Sequence, residues 1–275
     1  MTVVVGFVGV DGAVMASDSE ATEGGHTRYD VDKIWTCGGL LLGYTGDWAV
    51  LQPIAAQLAT KIPNTFGEAP EIDRWQGRSA LENTVGPVLR HCYENHVGPI
   101  NQRGIPQALD GALLVIGRDS DGYWLLELDG QNKPTFLTDN GFHAVGSGSA
   151  AAYVARSLMS EYEAGGRFVG DLKLIAYRTV QNCIDTIGGP LGVGGHVLLW
   201  SSENNSPFVK ATEKDTQVIE VGVDQWRAIE RDSLRQVRLG GAEEPEGVPL
   251  PELPSPATPE PDEEATSEAP AAEDR

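Results

Sequence analysis

The sequence predicts an α+β protein with two stacked, mostly antiparallel sheets between helical layers. Three observations predict it. Short apolar, β-branched runs come in pairs joined by Asp-Gly turns. Stretches of helical periodicity separate these runs into sets, in the order strands, two helices, strands, two helices, strands, helix. The strands are mostly too apolar to leave one face in water, so each sheet needs cover on both sides.

Taken in order, Thr2–Val10 and Ala13–Ser17 read as a hairpin around Asp11-Gly12. Ser19–Gly25 is small and polar and reads as a loop. Thr27–Cys37 reads as extended, Gly38-Gly39 as a turn, and Leu40–Thr45 as a further strand. Asp47 fits a helix N-cap, with Val50, Leu51, Ile54, Ala55 and Leu58 behind it. Ser79–His96 reads as a second helix, kinked or split at Gly86-Pro87. Ala112–Gly117, Tyr123–Leu128 and Thr135–Thr138 form a second hairpin set. Phe142–Val145 runs into Gly146-Ser147-Gly148-Ser149 and a helix from Ala150 to about Glu163. Asp171 is placed to cap a helix through Ile184. Gly194–Trp200 and Gln217–Val221 read as late strands, and Asp224 as the start of a last helix ending at Gly240.

Charge divides the chain. Of 275 residues with a net charge of -20, the last 35 carry eleven acids and one base, so half of the excess. They also hold eight of the 17 prolines and no aromatic residue. Such a segment cannot bury enough apolar area to offset its ordering entropy. The expectation is one domain over 1–240 and a disordered acidic tail over 241–275. The acidic balance argues against nucleic acid and an anionic membrane surface. There is no basic, apolar leader and no run of 18 apolar residues. Cys37, Cys92 and Cys183 are odd in number and far apart, which suits reduced thiols and a cytoplasmic setting. His91, Cys92, Glu94 and His96 look ligand-like. Only Cys92 and His96 stand four apart, and no second pair completes them, so a helix surface is the simpler reading.

The chemistry begins at Met1-Thr2. Removal of Met1 exposes an α-amine beside the hydroxyl of Thr2. A hydroxyl is a poor nucleophile until a base takes its proton, and that amine can be the base. Its ordinary pKa of about 7.7–8.0 leaves part of it unprotonated at neutral pH.

Several motifs then follow in order: Ala16-Ser17-Asp18-Ser19-Glu20-Ala21-Thr22, Asp32-Lys33-Ile34, Gly43-Tyr44-Thr45-Gly46-Asp47 and Gly146-Ser147-Gly148-Ser149-Ala150. Together, over residues 2–222, they resemble the β-type subunits of the proteasome and the related HslV peptidases, which are N-terminal-nucleophile (Ntn) hydrolases. The resemblance implies a four-layer αββα sandwich, activation by trimming of Met1, and a homo-oligomeric ring. The implied activity is a threonine endopeptidase that cuts polypeptide through an acyl-enzyme on Thr2. Lys33 would lower the pKa of the Thr2 hydroxyl, Asp18 would hold Lys33, Gly46 N–H would face the oxyanion, and Ser147 would assist at the α-amine. Thr22 and Gly46 would pair with the substrate backbone, with Ala21 and Tyr44 shaping the pocket. No organic cofactor is implied. A monovalent cation on backbone carbonyls near Cys183 and Thr186 is, and so is an ATPase or cap partner.

One departure stands against this. Proteasome β-type subunits carry an Asp-x-x-Ser-Gly-Gly run whose acidic and hydroxyl side chains buttress the threonine. Here the matching run is Pro190-Leu191-Gly192-Val193-Gly194-Gly195. A non-catalytic assembly subunit on the same fold, or a small-molecule amidase of the Ntn superfamily, are the alternative readings. Gly146-Ser147-Gly148-Ser149 ahead of a helix also admits a phosphate cradle, without the lysine of a P-loop.

Overall fold

The hairpin expected at Asp11-Gly12 forms β1 (Val4–Val8) and β2 (Gly12–Asp18), closed by Gly9 N–H donating to Gly12 O at 2.8 Å. It belongs to a computed structural model that describes residues 2–23, 27–46, 56, 75, 77–79, 82–83, 87, 111–129, 134–137, 141–159, 168–188 and 193–238. The other strands are β3 (Glu20–Glu23), β4 (Thr27–Asp30), β5 (Ile34–Cys37), β6 (Leu40–Gly46), β7 (Gly111–Asp119), β8 (Gly122–Leu128), β9 (Pro134–Phe136), β10 (Phe142–Val145), β11 (Val197–Glu203) and β12 (Val209–Lys210). Three long helices are described: α1 (Ser149–Met159), α2 (Val169–Ile187) and α3 (Glu213–Arg238).

The strands form two five-stranded antiparallel sheets, β10-β1-β2-β11-β12 and β5-β6-β7-β8-β9, with β3 and β4 as a separate pair. Alternation along β1 and β2 divides the core in two. Val5, Phe7, Val14 and Ala16, with Val3 just ahead of β1, face α1, α2 and the Ile219–Val223 part of α3. Val4, Ala13 and Met15 face Ile34, Leu41, Leu114, Ile116 and Leu125 of the second sheet. Glycines let the two sheets meet. A Cβ on Gly43 would lie 2.6 Å from both Met15 Sδ and Val4 Cγ1, and one on Gly6 would lie 2.9 Å from Leu125. On the far face of the second sheet, Trp75 packs edge-on against Phe136 of β9 at 5.2 Å. Helical backbone there completes the order helix, sheet, sheet, helix.

Several local expectations change. Glu20–Glu23 is a strand, not a loop. Gly194–His196 is a turn, and β11 starts at Val197. Asp171 lies in the first turn of α2 and does not cap it. That helix starts at Val169, and the Val169 N–H donates to the Asp11 carboxylate at 2.8 Å, from the β1–β2 turn. Gln217–Val221 is helical, inside α3, which begins eleven residues before Asp224. The β-branched run Val218, Ile219, Val221, Val223 misleads there, because a strong cap outweighs it. Asp215 N–H donates to Thr212 Oγ1 at 3.2 Å, and the Asp215 carboxylate accepts Thr212 N–H at 2.9 Å. The Thr212 hydroxyl, donating to the Asp215 carboxylate at 2.6 Å, and after it the Thr212 N–H hold the Asp215 carboxyl below its ordinary pKa.

The helices expected after Asp47 and up to His96, with His91, Cys92, Glu94 and His96, fall largely or wholly outside the described residues. So do the Gly240 stop and the acidic tail. The chain divides into two units at Ile229/Glu230. The described part of the second is the end of α3, with Arg235 on Asp232 at 3.4 Å. Among the described residues, no helix is long and apolar enough to cross a membrane.

Candidate active site

The site lies where β1 begins and β2 ends. Antiparallel pairing sets Val4 against Ser17, so Asp18 comes beside Val3, one residue from Thr2. Asp18 is fully buried and makes three contacts that suit a carboxylate. Its Oδ1 accepts Val3 N–H at 3.0 Å and Lys33 Nζ at 2.8 Å, and its Oδ2 accepts Gly194 N–H at 3.2 Å. Lys33, ahead of β5, also donates to the carbonyl of Glu20 at 2.6 Å. Burial pushes the Lys33 ammonium below its ordinary 10.5, opposed by Asp18 and more weakly by Glu20. Lys33 therefore gives up its proton more readily than a surface lysine.

The Gly146–Gly148 turn closes on Thr2 from β10. Thr2 N–H donates to Ser147 Oγ at 3.0 Å, and Gly148 N–H donates to Thr2 O at 3.0 Å. Gly146 has φ +96, and a Cβ there would run into the Thr2 carbonyl, so glycine is required. This answers the phosphate-cradle reading: the amide at Gly148 that would cradle an anion holds Thr2 instead.

The structure thus brings Thr2, Asp18, Lys33 and Ser147 together. Gly46 ends β6 opposite Gly111, with φ +128. Ala21 and Thr22 lie on β3, whose backbone pairs β4 at Tyr29 and Arg28. Tyr44 lies opposite Lys33 across β5 and β6, its N–H donating to Lys33 O at 3.0 Å, so the two residues share one face of the second sheet, away from the Gly43 contact with Met15 and Val4.

Gly194 is the residue that sequence reasoning missed. Val193 occupies the place of the missing buttress serine, is fully buried and packs in the helix-side core. The next residue supplies a backbone N–H to Asp18 instead of a side chain. Nothing in the residue type signals this. Cys183 sits deep in α2, its Sγ 4.0 Å from Gly148 O, with burial pushing its pKa to about 11. Thr186 is exposed near the end of α2. Carbonyl oxygens there suit a monovalent cation in kind, and among the described residues no three His, Cys, Asp or Glu side chains cluster to hold a metal.

No known family profile matches the sequence, and no curated protein does. Solved structures match. Anbu (ancestral beta-subunit) from Yersinia bercovieri has a TM-score of 0.65 at 15% identity, over 86% of this chain and 97% of its own. The helical assembly of the Anbu complex from Pseudomonas aeruginosa has 0.65 at 20%, over 86% and 96%. An Anbu (Gly-1) mutant from Hyphomicrobium sp. strain MC1 has 0.63 at 13%, over 86% and 100%. The chain has the Ntn-hydrolase fold.

At these identities the likeness carries the fold and no more. The narrower resemblance to proteasome β-type subunits and HslV is overturned, because these neighbours are Anbu structures. The physical reason lies in what the motifs encode. Gly146 against Thr2 and Gly43 against Val4 serve the closure of β1 and its lead-in on their neighbours, a need of the whole fold.

Proposed function

We propose that the chain is a self-associating subunit on the Ntn-hydrolase fold whose Thr2, once Met1 is removed, hydrolyses amide bonds. The observation that carries the reading is the buried Lys33–Asp18 pair at 2.8 Å, beside a Thr2 nitrogen that already meets the Ser147 hydroxyl. Burying a cation and a carboxylate is costly, and a fold retains them where they do chemistry or fix a register.

In this mechanism the freed α-amine takes the Thr2 hydroxyl proton as Oγ1 attacks the amide carbonyl. Gly46 N–H stabilises the oxyanion. The C–N bond breaks as the leaving amine takes the proton, and water then hydrolyses the ester on Thr2. Lys33 favours loss of the hydroxyl proton, and Ser147 passes protons to and from the amine. An extended peptide would add to the edge of β3 away from β4, with Ala21 and Thr22 along it, so an endopeptidase acting on polypeptide is the favoured substrate reading. A monovalent cation at the α2 end, near Cys183 and Thr186, would firm that helix terminus and take no part in these steps. An ATPase or cap partner, expected from the sequence, belongs to this proposal.

A non-catalytic assembly subunit is the second reading. It is favoured by Val193 in place of a hydroxyl buttress and by the helical assembly named for one structural neighbour. One experiment separates the two. Intact mass of purified protein, before and after a β-lactone or peptide epoxyketone, should show loss of Met1 and one adduct. Thr2→Ala should abolish the adduct. Retention of Met1, or an adduct that survives Thr2→Ala, refutes hydrolysis, and light scattering at the same concentrations reports self-association independently.

A further inference from the structure

Three hydrogen bonds through backbone amides stitch the Gly194–His196 turn to residues 18–20. Gly194 N–H donates to Asp18 Oδ2 at 3.2 Å, Glu20 N–H to Gly194 O at 3.2 Å, and His196 N–H to Ser19 Oγ at 3.0 Å. The first and the last reach side chains, and the last reaches a hydroxyl. Ser19 is almost fully buried. Its hydroxyl donates to Asp30 Oδ1 at 2.8 Å and lies 3.0 Å from His196 Nδ1. A carboxylate only accepts, so the single hydroxyl proton goes to Asp30. Nδ1 of His196 then carries its own proton and donates to Ser19 Oγ. The hydroxyl uses its one donor and both lone pairs, joining β2, β4 and the turn ahead of β11.

The turn is built around this clasp. Gly195 has φ +76, and a Cβ there would run into Ser19 Oγ. A Cβ on Gly194 would lie 2.5 Å from Glu20 Oε2. Backbone can approach this closely only because both residues are glycine.

We propose that Ser19, clasped between Asp30 and His196, is a positioning residue for the Asp18–Lys33 pair. Its hydroxyl pins the turn whose Gly194 N–H holds the second oxygen of Asp18. The proposal rests on the hydrolytic reading for its effect on rate, and on geometry alone for its effect on the pair. Asp18 and Glu20 are the acids that act on Lys33 from β2 and β3. Loosening the turn admits water to Lys33 and leaves Asp18 with one donor fewer. Both changes favour the ammonium.

The test uses full-length protein carrying [13C-ε]lysine. The sequence has six lysines, and Lys33→Arg assigns the signal of Lys33. Ser19→Ala should move its titration midpoint upward. It should also slow β-lactone acylation of Thr2 about three- to tenfold at saturating probe, the loss of one ordinary hydrogen bond, with half-saturation unchanged. His196→Ala, at an exposed position, should give the same upward shift and covers the case in which Ser19→Ala does not fold. His196→Asn, with Nδ2 standing for Nδ1, should restore both readouts. An unmoved Lys33 midpoint in both alanine variants overturns the proposal. So does an equal shift in His196→Asn. Wild-type protein that takes no adduct refutes hydrolysis and leaves the Lys33 titration to decide the clasp.

Discussion

The Gly146–Gly148 turn and the Gly194–His196 turn hold the two halves of one site by opposite means. The first presents a side chain to backbone: Ser147 Oγ meets Thr2 N–H, and the hydroxyl is exposed. The second presents backbone to a side chain: Gly194 N–H meets the buried Asp18 carboxylate. A side-chain pin is a replaceable part. A backbone pin holds only while the path of the chain holds, so its strength depends on Ser19, Gly195 and the packing of Val193.

That contrast can be broken most sharply from inside the pair. Lys33→Met keeps the volume and leaves Asp18 buried with backbone donors alone. Removing one partner of a buried pair typically costs about 3–5 kcal/mol. Urea unfolding should show a loss of that size, and a loss below about 1 kcal/mol would mean that the pair is no anchor.

The next effect appears in alkali. Burial keeps the Cys183 thiol protonated up to about 11, against an ordinary 9.0. Between those values the folded chain binds more protons than the unfolded one. Stability fully present below pH 9 therefore drains as pH rises towards 11, by at most about 2–3 kcal/mol. Lys33 runs the other way. Its folded value lies below 10.5, so the unfolded chain binds more protons between the two, and stability rises with pH there. Cys37 and Tyr177, pushed up by burial, share the sense of Cys183. Denaturant midpoints from pH 8.5 to 11 should fall less steeply in Cys183→Ala, and an identical slope would contradict the burial of this thiol.

Gly195→Ala tests the backbone pin. A side chain at φ +76 against Ser19 should cost about 1–3 kcal/mol. In the Ser19→Ala background the penalty should shrink, because the atom it strikes is gone. Equal penalties in both backgrounds would place the strain elsewhere. Ser147→Ala should have the smallest effect: acylation of Thr2 slower by about 0.5–1.5 kcal/mol of barrier, with unchanged urea midpoint. A change in midpoint would make Ser147 a structural residue.

Much of the frame was legible. Asp11-Gly12 between apolar runs fixed the first hairpin, and Thr2, Asp18, Lys33 and Ser147 were found as residue types in order and meet as a cluster. The start of α3 was legible too, in Thr212-x-x-Asp215, but β-branched residues behind it suggested a strand. The start of α2 was not, because its first amide is held by Asp11, 158 residues away in sequence.

By itself the sequence determined the strand pairing around Asp11-Gly12, the glycines on which the sheets close, and the side chains able to do chemistry at Thr2. Those are local matters of turn geometry, periodicity and functional groups. Only the tertiary structure decided how Asp18 is held. The groups that hold it are amides, which every residue but proline carries, and an amide becomes specific only when the fold aims it.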